Sequence, residues 1–168
     1  TLDSDGSATD LLDGTYNCTL TVTDIAGNGT DLIMAGFEVD TQKPSVTVNQ
    51  KAGQSDPTNT SPVYFTVVFD EPIDPATFTN ADMTIAGTAT TGTVTVTEVA
   101  PNDDTTFEVS VVATVSGTVI ADIGAGIVSD PASNTNNAST STDDTITFDI
   151  TDPVTSEVTP VPDPTNDG

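Results

Sequence analysis

The side chains in this sequence that could do chemistry are almost all carboxylates. Asp and Glu number 26 against 2 Lys and Arg, a formal net charge of -24, and histidine is absent. Without histidine there is no Ser-His-Asp or Cys-His arrangement, and no Gly-rich phosphate loop or basic clamp stands in for one. Glycosidase chemistry needs two carboxylates flanking a cleft. The nearest cluster, Asp70, Glu71 and Asp74, falls in a single turn. A catalytic role is therefore not expected.

Carboxylates gathered in one place can instead hold a hard cation, which takes several oxygen ligands. The candidates stand where turns are expected: Asp40, the turn of Asp70, Glu71 and Asp74, the pair Asp103 and Asp104, Asp130, and Asp149. Alternate turns of a β-sandwich lie at the same pole, so some of these residues are expected to converge, with calcium as a structural ion. The competing reading leaves each carboxylate separately solvated. A linear EF-hand is excluded, because Gly6 follows Asp3 and Asp5 too early for that loop.

Cys18 is the only cysteine, which rules out an intrachain disulfide and a cysteine metal site. It shares an alternating face with Tyr16, Leu20 and Val22, which predicts a buried small hydrophobe. A bridge to another segment is the alternative. The acceptor pattern Asn-x-Ser/Thr occurs at Asn17, Asn28, Asn59 and Asn137. Three of these asparagines fall in predicted loops and Asn17 on an outward strand face, so all four should be exposed to N-linked sugar. Thr155, Thr159 and Thr165, in a Pro-containing tail, are candidates for O-linked sugar.

The elements that must position these groups are strands. In Pro62-Val-Tyr-Phe-Thr-Val-Val-Phe-Asp-Glu-Pro72, the residues Val63, Phe65, Val67 and Phe69 share one face. A period of two marks a strand with one side in a core. Further strands are predicted around Tyr16–Val22, Phe37 and Val39, Val46 and Val48, and Met83–Ile85. Others follow over Thr93–Val99, Phe107–Val111, Val115–Ile123 and Ile146–Ile150. Threonine fills 34 of 168 positions and no helical apolar stripe appears. The chain reads as all-β.

The domain layout follows from this spacing. Residues 43–150 have the strand count of a complete sandwich, and 151–168 form an extended linker or tail. Residues 1–42 hold too few strands for an independent sandwich. They read as the closing strands and junction of a partial unit, whose remaining strands lie elsewhere or on another chain. An internal echo supports this: Asp24-Ile-Ala-Gly-Asn28 matches Asp130-Pro-Ala-Ser-Asn134, and Phe37–Pro44 matches Phe148–Pro153 more loosely. Offsets of 106 and 111 residues are the signature of a tandem array.

Charge limits the partners. Nucleic acid and anionic lipid both require basic patches, and the chain offers only Lys43 and Lys51. No run approaches the ~20 apolar residues of a membrane span.

The stretches Asp13-Gly-Thr-Tyr16, Val22-Thr-Asp-Ile-Ala-Gly-Asn28, Phe65–Pro72, Asp82-Met-Thr-Ile-Ala-Gly87 and Val119–Gly126 resemble the tandem bacterial-type immunoglobulin-like repeats of large extracellular adhesins and surface or filament proteins. The resemblance spans residues 12–150 and implies an immunoglobulin-like β-sandwich of about seven strands, preceded by closing strands of a partial unit. In such proteins the repeats form stalks or walls, in some cases stiffened by calcium at domain junctions. Similar repeats occur in eukaryotic surface and filament proteins, including algal ones. Cys18 and the glycosylation sequons depart from the bacterial pattern.

The expected function is therefore a non-catalytic, structural repeat segment of a secreted or cell-surface glycoprotein filament, stalk or matrix. It would associate with copies of itself or a filament partner, carry attached glycans, and use no catalytic cofactor; structural calcium is the ion its carboxylates would hold where they converge, against the reading in which they are separately solvated. The alternative is an adhesin-type module that binds a surface glycan or protein through its end loops. Sugar sites favour aromatic platforms, most aromatics here fit the inward faces, and Phe78 is the exception to check as a loop platform.

Overall fold

The alternation in residues 63–69 becomes an interior strand because both of its edges are paired and one of its faces is covered. In the computed structural model, which describes residues 11–156, the chain forms eleven strands. The first four are β1 (Gly14–Tyr16), β2 (Thr19–Thr23), β3 (Gly29–Ile33) and β4 (Phe37–Val39). Then come β5 (Val46–Gln50), β6 (Val63–Phe69), β7 (Met83–Gly87) and β8 (Thr90–Glu98). The last three are β9 (Thr106–Val115), β10 (Gly117–Ile123) and β11 (Thr145–Phe148). The helices among the described residues are two single 3-10 turns, Pro75–Thr77 and Asn80–Asp82. No helix there is long and apolar enough to cross a membrane.

The strands make four sheets, in the orders β5-β6-β9-β8, β11-β10-β7, β1-β4 and β2-β3. All their ladders are antiparallel. In the four-stranded sheet Phe65 stands opposite Val109, and Val67 opposite both Val48 and Phe107. Register therefore puts the large apolar residues of three strands on one face. That face and the inward residues of the three-stranded sheet, Met83, Val119, Ala121, Ile123, Ile146 and Phe148, form one buried cluster. All of its members lie between Val46 and Phe148.

Phe78 belongs to this cluster. It packs edge-on against Phe69 and Phe107, with ring centroids 5.6 and 5.1 Å away. Such pairs contribute about 0.5–1.5 kcal/mol each beyond the area they bury. The aromatic residue expected outside the core is thus one of its fillers.

The long 124–144 segment does more than connect. Thr140 bridges to Val46 and Val48 through two 3.0 Å backbone bonds, and Asn49 Oδ1 accepts from the Thr142 and Asp143 amides. These contacts cover the outer edge of β5, which would otherwise be open to pairing with another chain.

Residues 11–42 differ from the expectation: the strand read through residues 16–22 is broken at Asn17 and Cys18, and β3 forms where no strand was expected. Cys18 is exposed, and Leu20 and Val22 keep 52% and 54% of their surface. The alternation is present, but among the described residues no second sheet covers β1–β4 or β2–β3, so it does not become burial. The last strand also stops short: β11 ends at Phe148 and Ile150 is exposed.

Phe65→Ala should lower the unfolding free energy of the full chain by about 3–5 kcal/mol through cavity formation. Val68→Ala, on the outward face of the same strand, should stay within about 0.5 kcal/mol of the parent. Urea titrations of both variants compare the two faces directly. Equal costs would show that the faces are assigned wrongly.

Candidate functional site

Three of the sequence-predicted carboxylates meet where residues 11–42 join the rest of the chain. Asp40 follows β4, Glu71 follows the end of β6, and Asp130 stands in the long segment after β10. One carboxylate oxygen from each lies within 4.8 Å of the other two. Asp130 is buried, with 2% exposure, and Asp40 and Glu71 are half-buried. A cleft of about 420 Å3 opens beside them, lined by Glu38, Asp40, Glu71, Pro72, Pro131 and Ala132.

The backbone holds Asp130 in place through a closed turn. Asn134 donates its amide to Asp130 Oδ1 at 2.9 Å and its side-chain Nδ2 to Oδ2 at 2.8 Å. The backbone closes the turn with Asp130 N to Asn134 O and Ser133 N to Asp130 O. Ser133 takes φ +74, the left-handed conformation such a turn needs. Asp24 and Asn28 repeat all four bonds, with Gly27 at φ +89 in the place of Ser133. The sequence echo is therefore a structural one.

Asn136 fixes the strap that carries this turn. It is 2% exposed, accepts from the Ile127 and Val128 amides, and donates to the Gly124 and Asn137 carbonyls. A buried amide side chain with its donors and acceptor all paired rigidifies the segment it ties together.

The segment after β4 is seated on the same pole. Asn134 Nδ2 also donates to Asp40 O at 3.0 Å, the Asn137 amide to Pro44 O at 2.9 Å, and the Ser45 amide to Asp70 Oδ1 at 2.7 Å. Asn134 thus ties Asp130 to Asp40 with both of its side-chain N–H groups. Its role was not legible beforehand; the echo that contained it was the available signal.

Electrostatics oppose this gathering. The one ion pair among the described residues, Lys51–Glu108, lies elsewhere. Burial raises the Glu71 carboxyl above the ordinary glutamate range, and repulsion from Asp40, Asp70 and Asp130 raises it further. Three oxygen-only, half-buried or buried donors with no cationic side chain suit a hard divalent ion such as calcium.

The remaining candidates serve local turns. Asp70 holds Ser45, and Asp74 caps the first 3-10 turn by accepting from the Ala76 amide. Asp103 accepts from Thr105, Asp104 takes a left-handed φ of +60, and Asp149 accepts from the Thr151 amide. These residues do not join the triad. Asn17, Asn28, Asn59 and Asn137 are all exposed, as is Thr155; Thr159 and Thr165 lie outside the described residues.

Comparison with protein-family models gives no match, and none is found at a significant level among curated proteins or solved structures.

Folded Glu71 holds its proton more tightly than the unfolded chain, whose glutamates titrate near ~4.3. Stability should therefore fall as pH climbs from that value through the raised Glu71 pKa. In chelator at neutral pH, Glu71→Gln should raise the Tm slightly, by no more than the small amount solvent-screened surface charges contribute. It should also flatten the corresponding part of the pH profile. A lower Tm for the variant would show that the triad is not electrostatically crowded.

Proposed function

We propose that the chain is a structural, non-catalytic repeat segment of an extracellular glycoprotein filament, stalk or matrix. In this reading, residues 43–150 are one immunoglobulin-like β-sandwich link, and residues 11–42 are the closing strands of the link before it. Asp40, Glu71 and Asp130 bind a calcium ion that stiffens the junction between the two.

The observation that carries the proposal is the convergence of Asp40, from one side of the junction, with Glu71 and Asp130 from the other. A cation shared in this way ties together two parts of the chain that are otherwise joined by a few hydrogen bonds. It also offsets the burial and the neighbouring charges that raise the Glu71 carboxyl above the ordinary glutamate range. The uncovered apolar face of the first four strands supports a missing companion sheet. The four exposed sequons are compatible with a glycosylated surface. The binding-module alternative loses support because Phe78, its candidate platform, is in the core.

Calcium should raise the Tm of the full chain relative to chelator, by about 2.7 kcal/mol of stabilisation at a hundredfold excess over Kd. Asp40→Ala should abolish most of that gain and, by relieving its repulsion of Glu71, should not lower the Tm in chelator, since the one other bond recorded for the Asp40 side chain is from the Gln42 amide. Differential scanning calorimetry reads both effects. An equal calcium response in the parent and the variant would place the ion elsewhere; no response in either would remove it.

A further inference from the structure

The two halves of the chain correspond residue by residue at their closing strands, and the correspondence is more regular than the sequence echo suggests. In the first, Gly14, Thr15 and Tyr16 pair with Val39, Glu38 and Phe37. In the second, Gly117, Thr118 and Val119 pair with Phe148, Thr147 and Ile146. Each ladder opens on a glycine, with φ +146 at Gly14 and +156 at Gly117. A Cβ at Gly117 would run into the backbone of Thr88 and Ala89. Register therefore aligns Val39 with Phe148, where sequence matching alone aligned Phe37 with Phe148.

That two-residue correction places Asp149 on Asp40. The local bonding agrees. Asp40 Oδ1 accepts from the amide two residues on, Gln42, at 3.0 Å, and Asp149 Oδ1 accepts from Thr151 at 2.8 Å. Just before each glycine, a side-chain oxygen accepts from the amide after the aspartate. Asp13 takes the Thr41 amide at 3.0 Å, and Ser116 takes the Ile150 amide at 2.9 Å. Proline follows four residues later in both, at Pro44 and Pro153.

The first of these segments has a function in the fold. Its Asp40 carbonyl receives Asn134, its Pro44 carbonyl receives the Asn137 amide, and its Asp40 carboxylate meets Glu71 and Asp130. The second is built the same way, but its groups face solvent: Asp149 and Thr151 are exposed. The receiving turn is also duplicated, because Asp24–Asn28 repeats the bonds of Asp130–Asn134 at the opposite end of the first unit.

We infer that residues 148–153 are a second docking segment, preshaped to seat on the pole of a following copy of the 43–150 unit. Asp149 takes the position of Asp40, and the copy supplies Glu71, Asp130, Asn134 and Asn137. The junction is then a repeating head-to-tail contact, which propagates as an open array because its two faces differ. This rests on the junction reading above and adds the partner and the residue through which the next link attaches.

The test is a tandem protein in which residues 45–156 are repeated directly after Pro153. The 43–150 unit contains its whole buried cluster, so the appended copy can fold on its own core. With calcium chloride present, hydrogen exchange is followed at the Asn137 amide of each copy, the amide that bonds Pro44 in the first junction and would bond Pro153 in the second. Both amides should be protected. Asp149→Ala should accelerate exchange about tenfold or more at the second copy only, as expected for loss of a charge-assisted contact. Asp40→Ala should do the same at the first copy only. Asp149→Asn, which keeps the acceptor for Thr151, separates loss of charge from loss of the turn, and cooperative unfolding of each variant checks that both cores survive.

If Asp40→Ala opens the first junction while the second stays open in the parent or ignores Asp149→Ala, the repeating junction is overturned and the first junction stands. If Asp40→Ala has no effect at the first junction, the junction reading falls and this inference falls with it.

Discussion

The structure depends on a single apolar face. Val63, Phe65, Val67 and Phe69 of β6 are each no more than 2% exposed, and both neighbouring ladders are set in register by them. With only 35% hydrophobic residues and a net charge of -24, the chain has little other apolar material with which to offset conformational entropy. Three phenylalanines, Phe69, Phe78 and Phe107, fill the end of the core where β6 runs out toward Glu71. The same packing that closes the core therefore fixes the start of the turn that carries a ligand candidate. Core and junction are neighbours by construction.

A second constraint acts against the first. Carboxylates spread over a surface repel weakly and are screened by salt, whereas Asp40, Glu71 and Asp130 are drawn within 4.8 Å at a partly buried site. What holds them there is hydrogen bonding: the charge-assisted bonds of the Asp130–Asn134 turn, the four neutral bonds of Asn136, and the bonds from Asn134 and Asn137 to the Asp40 and Pro44 carbonyls. The bonds of Asn136 and those to the Asp40 and Pro44 carbonyls keep their partners when a cation arrives, whereas the two bonds from Asn134 to the Asp130 carboxylate share its oxygens with the ion. Most of the scaffold is thus independent of the charge state it presents, a useful property for a site that gains and loses an ion.

Much of the second unit was legible in the sequence because its strands alternate sharply. The inward residues of β5, β6 and β9 fall where period-two reading places them. The strands β1, β2 and β4 alternate as well, yet Cys18, Leu20 and Val22 are exposed. Periodicity reports which residues share a face and is silent on whether anything covers it. The site was legible in its residue types but not in its membership. Of eight candidate carboxylates three converge; Asp74, Asp103 and Asp149 accept from amides two residues on, Asp70 accepts from the Ser45 amide, and Asp104 sits in a left-handed turn. Convergence depends on where long loops fold back, and the strap fixed by Asn136 has no periodic signal to reveal its path. The echo between Asp24–Asn28 and Asp130–Asn134 was readable because a closed turn restricts residue type at both of its ends.

The proposed array unites these features in one mechanical argument. Links that each carry a large negative charge repel their neighbours, so a covalent string of them extends and bends freely while its carboxylates are bare. A cation at each junction neutralises charge where the links meet and leaves the rest of the surface acidic. It stiffens the string without encouraging lateral aggregation. The covered edge of β5 and the irregular register within β8 act in the same direction, since both discourage sheet-to-sheet pairing between strings. Stiffness along the axis and repulsion across it then arise from the same excess of carboxylates. A basic or neutral surface on the same core would allow the first property only by sacrificing the second.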